Sequence, residues 1–290
     1  MNDMWIILIG ALVACSCSIV GCFLVLRKMS MIGDAISHSV LPGIVLAFFF
    51  SGGSRDSLFM MLGAAALGLI TVFLIQMFQN SGVQSDASIG VVFTALFAVG
   101  VVLVSLFTRE VDLDLDCVLY GEIAYAPWDT FEIGGKSLGP RAVWGVGASL
   151  LLNIIVIGLF YKQFKLCSFD PALAAALGIP VALFHYLLMG LVSVSTVASF
   201  ESVGAILVVG MIIVPAATAY LLTEKLSIMI AISMVIGIIS SVVGYYVAYI
   251  FDASIAGSMI TVAGAIFLLV FLLSPTHGVV MKKWRRMKMV

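Results

Sequence analysis

The sequence predicts an all-α, polytopic membrane protein with eight or nine transmembrane helices. Composition is the first reason: of 290 residues, 63% are hydrophobic and only 10% charged. A soluble domain carries about 25% charged and about 45–50% apolar residues, and the mean hydropathy here is +1.24. The second reason is spacing. The apolar residues fall in runs close to the roughly 20 needed to cross about 30 Å of hydrocarbon. The third is the absence of the alternating pattern of a membrane barrel, which leaves helices as the way to satisfy every backbone group in lipid. Together these exclude a soluble enzyme. The spans use most of the chain, so it reads as one transmembrane domain over 1–290, and a large catalytic head would belong to another polypeptide.

The first run, 5–26, lacks the basic start and small-residue cleavage site of a signal peptide and is expected to be retained as a helix. Arg27 and Lys28 close it. A shorter run, 36–50, is interrupted by Pro42-Gly43. Further spans are expected at 58–78, 88–107, 143–161, 181–199, 203–222, 226–250 and 256–273. The count is eight or nine because 36–50 is short and the two runs after Val181 are nearly fused.

Lysine and arginine set the orientation. With the N-terminus outside, ten basic residues face one side (Arg27, Lys28, Lys162, Lys165, Lys225 and the five of the tail), and four face the other. The first side is therefore expected to be cytoplasmic, and the C-terminus with it. The tail 282–288 would anchor the last helix at lipid headgroups. There is no other basic patch, so nucleic acid is not an expected partner. The outer segment 108–142 would carry seven carboxylates, with Asp112, Asp114 and Asp116 in alternation. It fails as a calcium loop, because position six is Cys117 and position twelve Ile123. It reads as a solvated acidic loop, or as a cation-attracting vestibule or docking surface.

Ionisable groups inside spans are expensive, about 2.5–3.5 kcal/mol on insertion scales, so each is informative. Asp34 and His38 stand four apart in Gly33-Asp34-Ala35-Ile36-Ser37-His38-Ser39. On a helix that spacing puts carboxylate and imidazole on one face. One oxygen and one nitrogen donor suit Mn²⁺, Zn²⁺ or Fe²⁺, and Ser37 and Ser39 offer hydroxyls to hold the ligands. Pro42-Gly43 would then break the helix and free carbonyls, as where a pathway is lined. The plainer reading is an Asp–His hydrogen bond stapling a helix start, with Asp34 as N-cap. Glu201, between two apolar runs, is a third ligand or a proton-linked gate, or simply a helix-start residue. His185 reads as a hydrogen-bonded packing residue and His277 as a turn residue. The five cysteines (15, 17, 22, 117 and 167) form no CxxC pair and read as buried apolar side chains.

There is no HExxH, GxSxG or Walker A motif. The chain is therefore expected to be no enzyme, with ATP hydrolysis, if used, done elsewhere. Between the runs ending at Tyr161 and starting at Val181, the cytoplasmic segment 162–180 contains Asp170-Pro171, a capping acid followed by proline at the first helical position. Ala172–Ala176 and Leu177 are helix formers, and Gly178 is a stop. A short, small-faced helix results, which is a bare turn or a surface for a neighbouring protein.

Three segments together resemble one family. They are Asp34-Ala35-Ile36-Ser37-His38-Ser39-Val40-Leu41-Pro42-Gly43; Ser168-Phe169-Asp170-Pro171 with Ala175-Ala176-Leu177-Gly178; and Gly204-Ala205-Ile206-Leu207-Val208-Val209-Gly210-Met211 with Pro215-Ala216-Ala217. Over nearly its whole length the chain resembles the permease subunit of bacterial ABC importers for manganese, zinc or iron. The resemblance implies a helical permease of the cobalamin-importer type in the bacterial plasma membrane. Two permeases, copies or paralogues, would pair and be driven by a cytoplasmic ATPase dimer. An extracytoplasmic binding protein would deliver the ion, which is cargo and not a resident cofactor. Phe169, Asp170, Pro171, Ala175, Leu177 and Gly178 match the helix that contacts the ATPase. Asp34 and His38 match the polar pair lining the pathway, and Glu201 lies in a similar polar turn. Pro42, Gly43, Gly204 and Pro215 match helix breaks along it. The 132–141 stretch is long for the family, and the likeness is closer to the manganese or iron branch than to the zinc branch. The rivals are a permease for a metal chelate or cobalamin, with a wider apolar path, and a proton-coupled secondary transporter.

Overall fold

The structure is a computed structural model and describes residues 2–50, 57–107, 123–133 and 136–274. Among these, eight helices are long and apolar enough to cross a membrane. They are α1 (Asn2–Leu26), α4 (Ser57–Asn80), α5 (Ser85–Phe107), α6 (Arg141–Leu159), α9 (Val181–Val203), α10 (Ala205–Leu222), α11 (Leu226–Phe251) and α12 (Ile255–Leu273). The spans expected near 181–199 and 203–222 are separate helices, parted by Gly204 alone. The remaining run, 36–50, forms no single long helix, although the chain crosses back there, because α1 and α4 both end at one cavity, at Leu26 and Asn80. It is divided between α2 (Met31–Ser39) and α3 (Leu41–Phe50), each too short to cross alone.

The break falls at Val40, just ahead of Pro42. Proline has no N–H to offer the His38 carbonyl, and the Gly43 N–H turns to the Val40 carbonyl at 2.9 Å. Gly43 itself is buried where α3 meets α4; a Cβ there would meet the Gly63 carbonyl oxygen at 2.6 Å.

Helix α1 is the hub. It packs against α6, α9, α10 and α11, and 72% of its span is buried, against 17% for α5. Ile9, Val13, Val20, Phe23 and Leu24 are fully enclosed. Helices in lipid gain no hydrophobic force from one another and rely on close packing and interhelical hydrogen bonds. Such bonds join α1, α6 and α9. Asn153 Nδ2 donates to Ser195 Oγ at 2.7 Å and to Ser16 Oγ at 3.1 Å, and Ser149 Oγ donates to Ser195 Oγ at 3.3 Å.

At the Asn2 end of the bundle the described part of the acidic 108–142 segment contains a small antiparallel hairpin, β1 (Thr130–Ile133) and β2 (Lys136–Pro140). The Trp5 ring lies against Gly139, which places the hairpin over the start of α1. The Asp112–Asp116 run lies outside the described residues. At the other end of α6 come α7 (Tyr161–Phe169) and α8 (Pro171–Ala176). The hairpin and α8 are therefore at opposite ends of one span.

Candidate functional site

Asp34 and His38 lie on one face of α2, as the four-residue spacing predicts. His38 Nε2 is 3.4 Å from Asp34 Oδ1. Asp34 is not the N-cap; that position is Ser30, and Asp34 sits inside the first turn. Each side chain keeps about a third of its surface open, 33% for Asp34 and 32% for His38. A short helix lodged among α4, α5, α9 and α10 thus presents two metal-type donors to open space. The imidazole is held between two rings of α5, Phe93 and Phe97, each with its centroid 6.0 Å away.

Ser37 and Ser39 do not hold the pair. Ser37 Oγ donates to the Asp34 backbone carbonyl at 2.7 Å, while Ser39 Oγ lies 2.8 Å from Thr71 Oγ1 on α4. These bonds fasten α2 to itself and to α4. Glu201 is in the last turn of α9, but its side chain lies outside the described residues. It follows Ser193 by eight residues, about 12 Å along the axis, and Ser193 is the α9 residue near Gly68 and Ile36. Among the described residues no group of three or more His, Cys, Asp or Glu side chains could hold a metal ion. His277 and Cys117 also lie outside the described residues. Cys17, Cys22 and Cys167 are buried, Cys15 is half-buried, and all four are free.

The two helix breaks further along differ in kind. Gly204 has φ 80° and ψ 167°, a region essentially open to glycine alone. This single residue ends α9 and starts α10. Pro215 is buried inside α10 and leaves the Met211 carbonyl without its helical donor.

Within the 162–180 segment the part from Asp170 to Gly178 folds as its residues predict, while the helix α7 ahead of it was not expected. Asp170 Oδ1 accepts from the Leu173 N–H at 2.9 Å, with Pro171 at the first helical position. Leu177 ends the turn and Gly178 takes φ 78°. The Gly178 and Ile179 N–H groups return to the Ala175 and Ala174 carbonyls, which closes the helix in a Schellman motif. Phe169 at the end of α7 and, past the non-helical Asp170, Leu173 and Leu177 of the α8 turn are 54%, 47% and 65% exposed. They make an apolar crest, flanked by exposed Ala175, while Ala174 is buried beneath.

Two fastenings under this crest were not legible in the sequence. Phe164 of α7 is fully buried and its ring meets Phe184 of α9 edge-on at 5.4 Å and Phe23 of α1 at 5.8 Å. Arg27 Nε donates to Ser168 Oγ at 3.0 Å, and Arg27 Nη1 lies 3.5 Å from His185 Nδ1. His185 is thus the hydrogen-bonded packing residue expected of a lone histidine, with Arg27 as its partner. Burial lowers the Arg27 pKa from its ordinary value, though a guanidinium remains ionised in proteins.

The model of the ABC 3 transport family matches residues 3–274. The chain belongs to the ABC 3 transport family. This membership makes it a transport component, and with its eight apolar helices a multi-pass membrane protein. Relatives agree over nearly the full length. The chain is 52% identical to the manganese transport system membrane protein MntD of Bacillus subtilis, covering 99% of this chain and 97% of that one. It is 43% identical to the zinc transport system membrane protein TroD of Treponema pallidum, covering 96% and 75%. Among solved structures, PsaBC from Streptococcus pneumoniae in complex with Fab superposes with TM-score 0.79 at 33% identity, over 99% of this chain and 96% of that chain. A metal-chelate type ABC transporter in an inward-facing conformation gives 0.58 at 20% identity, covering 93% and 82%, which shows the fold alone. Every described site residue of this ABC 3 chain, from Arg27 to Pro215, falls inside the matched range.

Proposed function

We propose that this chain is the membrane-spanning subunit of an ATP-driven importer of divalent transition-metal ions, manganese first, then zinc or iron. The observation that carries the reading is the Asp34–His38 pair, 3.4 Å apart and partly open on a broken helix inside the bundle. Carboxylate and imidazole together suit these ions. Two protein donors leave the other coordination positions to water or to neighbouring oxygens. Such a site can be entered and left again, which a transport pathway needs and a closed four-ligand cage does not provide. The order of cargo follows the names of the relatives, several of which are manganese systems.

Glu201 serves as a further ligand or gate on this path, and Pro42, Gly43, Gly204 and Pro215 shape it. ATP is hydrolysed by a separate cytoplasmic ATPase dimer. It docks on the crest of Phe169, Leu173 and Leu177, and the buried Phe164 below transmits its movement to α1 and α9. A second permease, copy or paralogue, completes the pathway, and an extracytoplasmic binding protein delivers the ion at the hairpin end. The N-terminus is outside and the C-terminus cytoplasmic in the bacterial plasma membrane, a reading that the distribution of basic residues supports. The 1–290 chain is one permease domain without a resident cofactor.

The experiment is uptake of radioactive Mn²⁺, Zn²⁺ and Fe²⁺ by cells that lack their own permease but retain its ATPase and binding protein. Wild type should accumulate one ion and His38→Ala should not, at equal membrane abundance. Equal uptake by both would sink the free-metal pathway and favour a chelate permease. Uptake that persists without the ATPase would favour a proton-coupled carrier.

A further inference from the structure

We propose that the cavity at the α8 end of the bundle binds the headgroup of an anionic phospholipid. The cavity encloses about 560 Å³, and Arg27, Lys28, Gln76, Asn80, Ser168 and His185 supply its polar wall. That volume lies within the roughly 300–1,000 Å³ typical of ligand sites. The proposal rests on the chain crossing the membrane, and not on which cargo it carries.

Charge is the first argument. The half-buried Arg27 has no carboxylate partner among the described residues. Its Nη2 is buried without a hydrogen-bond partner, as is Nε2 of the neighbouring His185. A cation taken out of water without a counter-charge is costly. A phosphate group bound in the cavity supplies the missing counter-charge beside the guanidinium.

Backbone geometry is the second. Lys28 holds φ 57°, the left-handed position after α1. Its N–H bonds the Val25 carbonyl and that of Met29 bonds the Leu24 carbonyl, which is a Schellman cap where glycine is the usual residue. That conformation is strained for any residue that carries a Cβ. Strain of this kind persists where the side chain is needed, and here it adds an exposed ammonium to the cavity wall.

Position decides the source of the phosphate. The cavity lies where three membrane spans end: α1 at Leu26, α4 at Asn80 and α9 at Val181. That is headgroup depth, and basic pockets between helices at this level suit anionic headgroups. Leu26, Met29, Pro171 and Val181 complete the lining with apolar surface. Pro171 starts α8, so the headgroup would sit directly under the apolar crest.

The test uses the full chain in neutral detergent, with lipid binding counted by native mass spectrometry. The probes are phosphatidylglycerol, phosphatidylcholine and inorganic phosphate. Wild type should retain phosphatidylglycerol in preference to phosphatidylcholine, and millimolar inorganic phosphate should not displace it. Lys28→Gly should weaken that binding about fivefold, the effect of one basic residue at an anionic surface. This variant relieves the left-handed strain, so a misfolded chain does not explain the loss. Arg27→Gln should weaken it further. Equal retention by wild type and Lys28→Gly would overturn the proposal, as would equal binding of phosphatidylcholine. Displacement by inorganic phosphate would overturn the lipid assignment and give the cavity to a soluble phosphate compound.

Discussion

Arg27 Nε donates to Ser168 Oγ over 3.0 Å and so ties the end of α1 to the segment that turns into α8. Ser168 is held in turn, because its hydroxyl donates to the Phe164 carbonyl at 2.8 Å. Hydrogen bonds to charged groups contribute about 1.5–3 kcal/mol. Ser168→Ala should therefore loosen α7 and α8 locally while the membrane helices stay folded. Faster amide exchange over 161–178, with unchanged protection in α10 and α11, is the expected result; a uniform rise across the chain would point to global destabilisation instead.

The N-cap of α8 allows a sharper test of the crest. Asp170→Ala removes the acceptor of the Leu173 N–H, which costs about 0.5–2 kcal/mol. In a six-residue helix that is enough to fray the whole element. ATPase binding should weaken while the melting temperature of the isolated permease barely moves. Asp170→Ser, which caps nearly as well, should restore binding. If Ser fails where Asp works, the carboxylate itself contacts the partner.

At the proposed ion path, Asp34→Asn and His38→Ala should each reduce metal uptake at least tenfold. Neither should alter co-purification with the ATPase, because Ser37 and Ser39 carry the hydrogen bonds that seat α2. Ser39→Ala is the control: it removes the 2.8 Å contact to Thr71 and should lower stability more than it changes ion selectivity. Loss of assembly in His38→Ala would make the imidazole a structural residue.

Gly204→Ala puts a Cβ on a backbone at φ 80° and ψ 167°. Conformations of that kind cost about 1–3 kcal/mol for other residues. The variant should melt lower in detergent, and the loss should localise to the α9–α10 junction by hydrogen exchange. A melting temperature equal to wild type would mean that the junction can relax.

Asn153 is fully buried among α1, α6 and α9, where its amide serves Ser16 and Ser195. Asn153→Leu should destabilise the bundle by about 1–2 kcal/mol, the scale of interhelical hydrogen bonds in membranes. Chemical denaturation in mixed micelles would measure it, and an unchanged midpoint would show that packing alone holds these three helices.

Much of this protein follows from local properties of the chain. Span length and apolar composition determined the eight long helices. The four-residue spacing of Asp34 and His38 put them on one face. The Asp170 cap and the Gly178 stop determined α8, because caps and stops act within one turn. What depends on distant residues was decided only by the tertiary structure. The break at Val40 fell ahead of Pro42 and made this crossing two short helices, α2 among α4, α5, α9 and α10 and α3 against α4 and α5, in place of one long helix. The rings of Phe93 and Phe97 beside His38, and the pairing of Arg27 with Ser168 across 141 positions, carry no local signature. The hairpin over Trp5 was likewise hidden, since a polar segment of mixed pattern fits either loop or strand. Helix periodicity reports which residues share a face; what that face meets is set by the packing of the other helices.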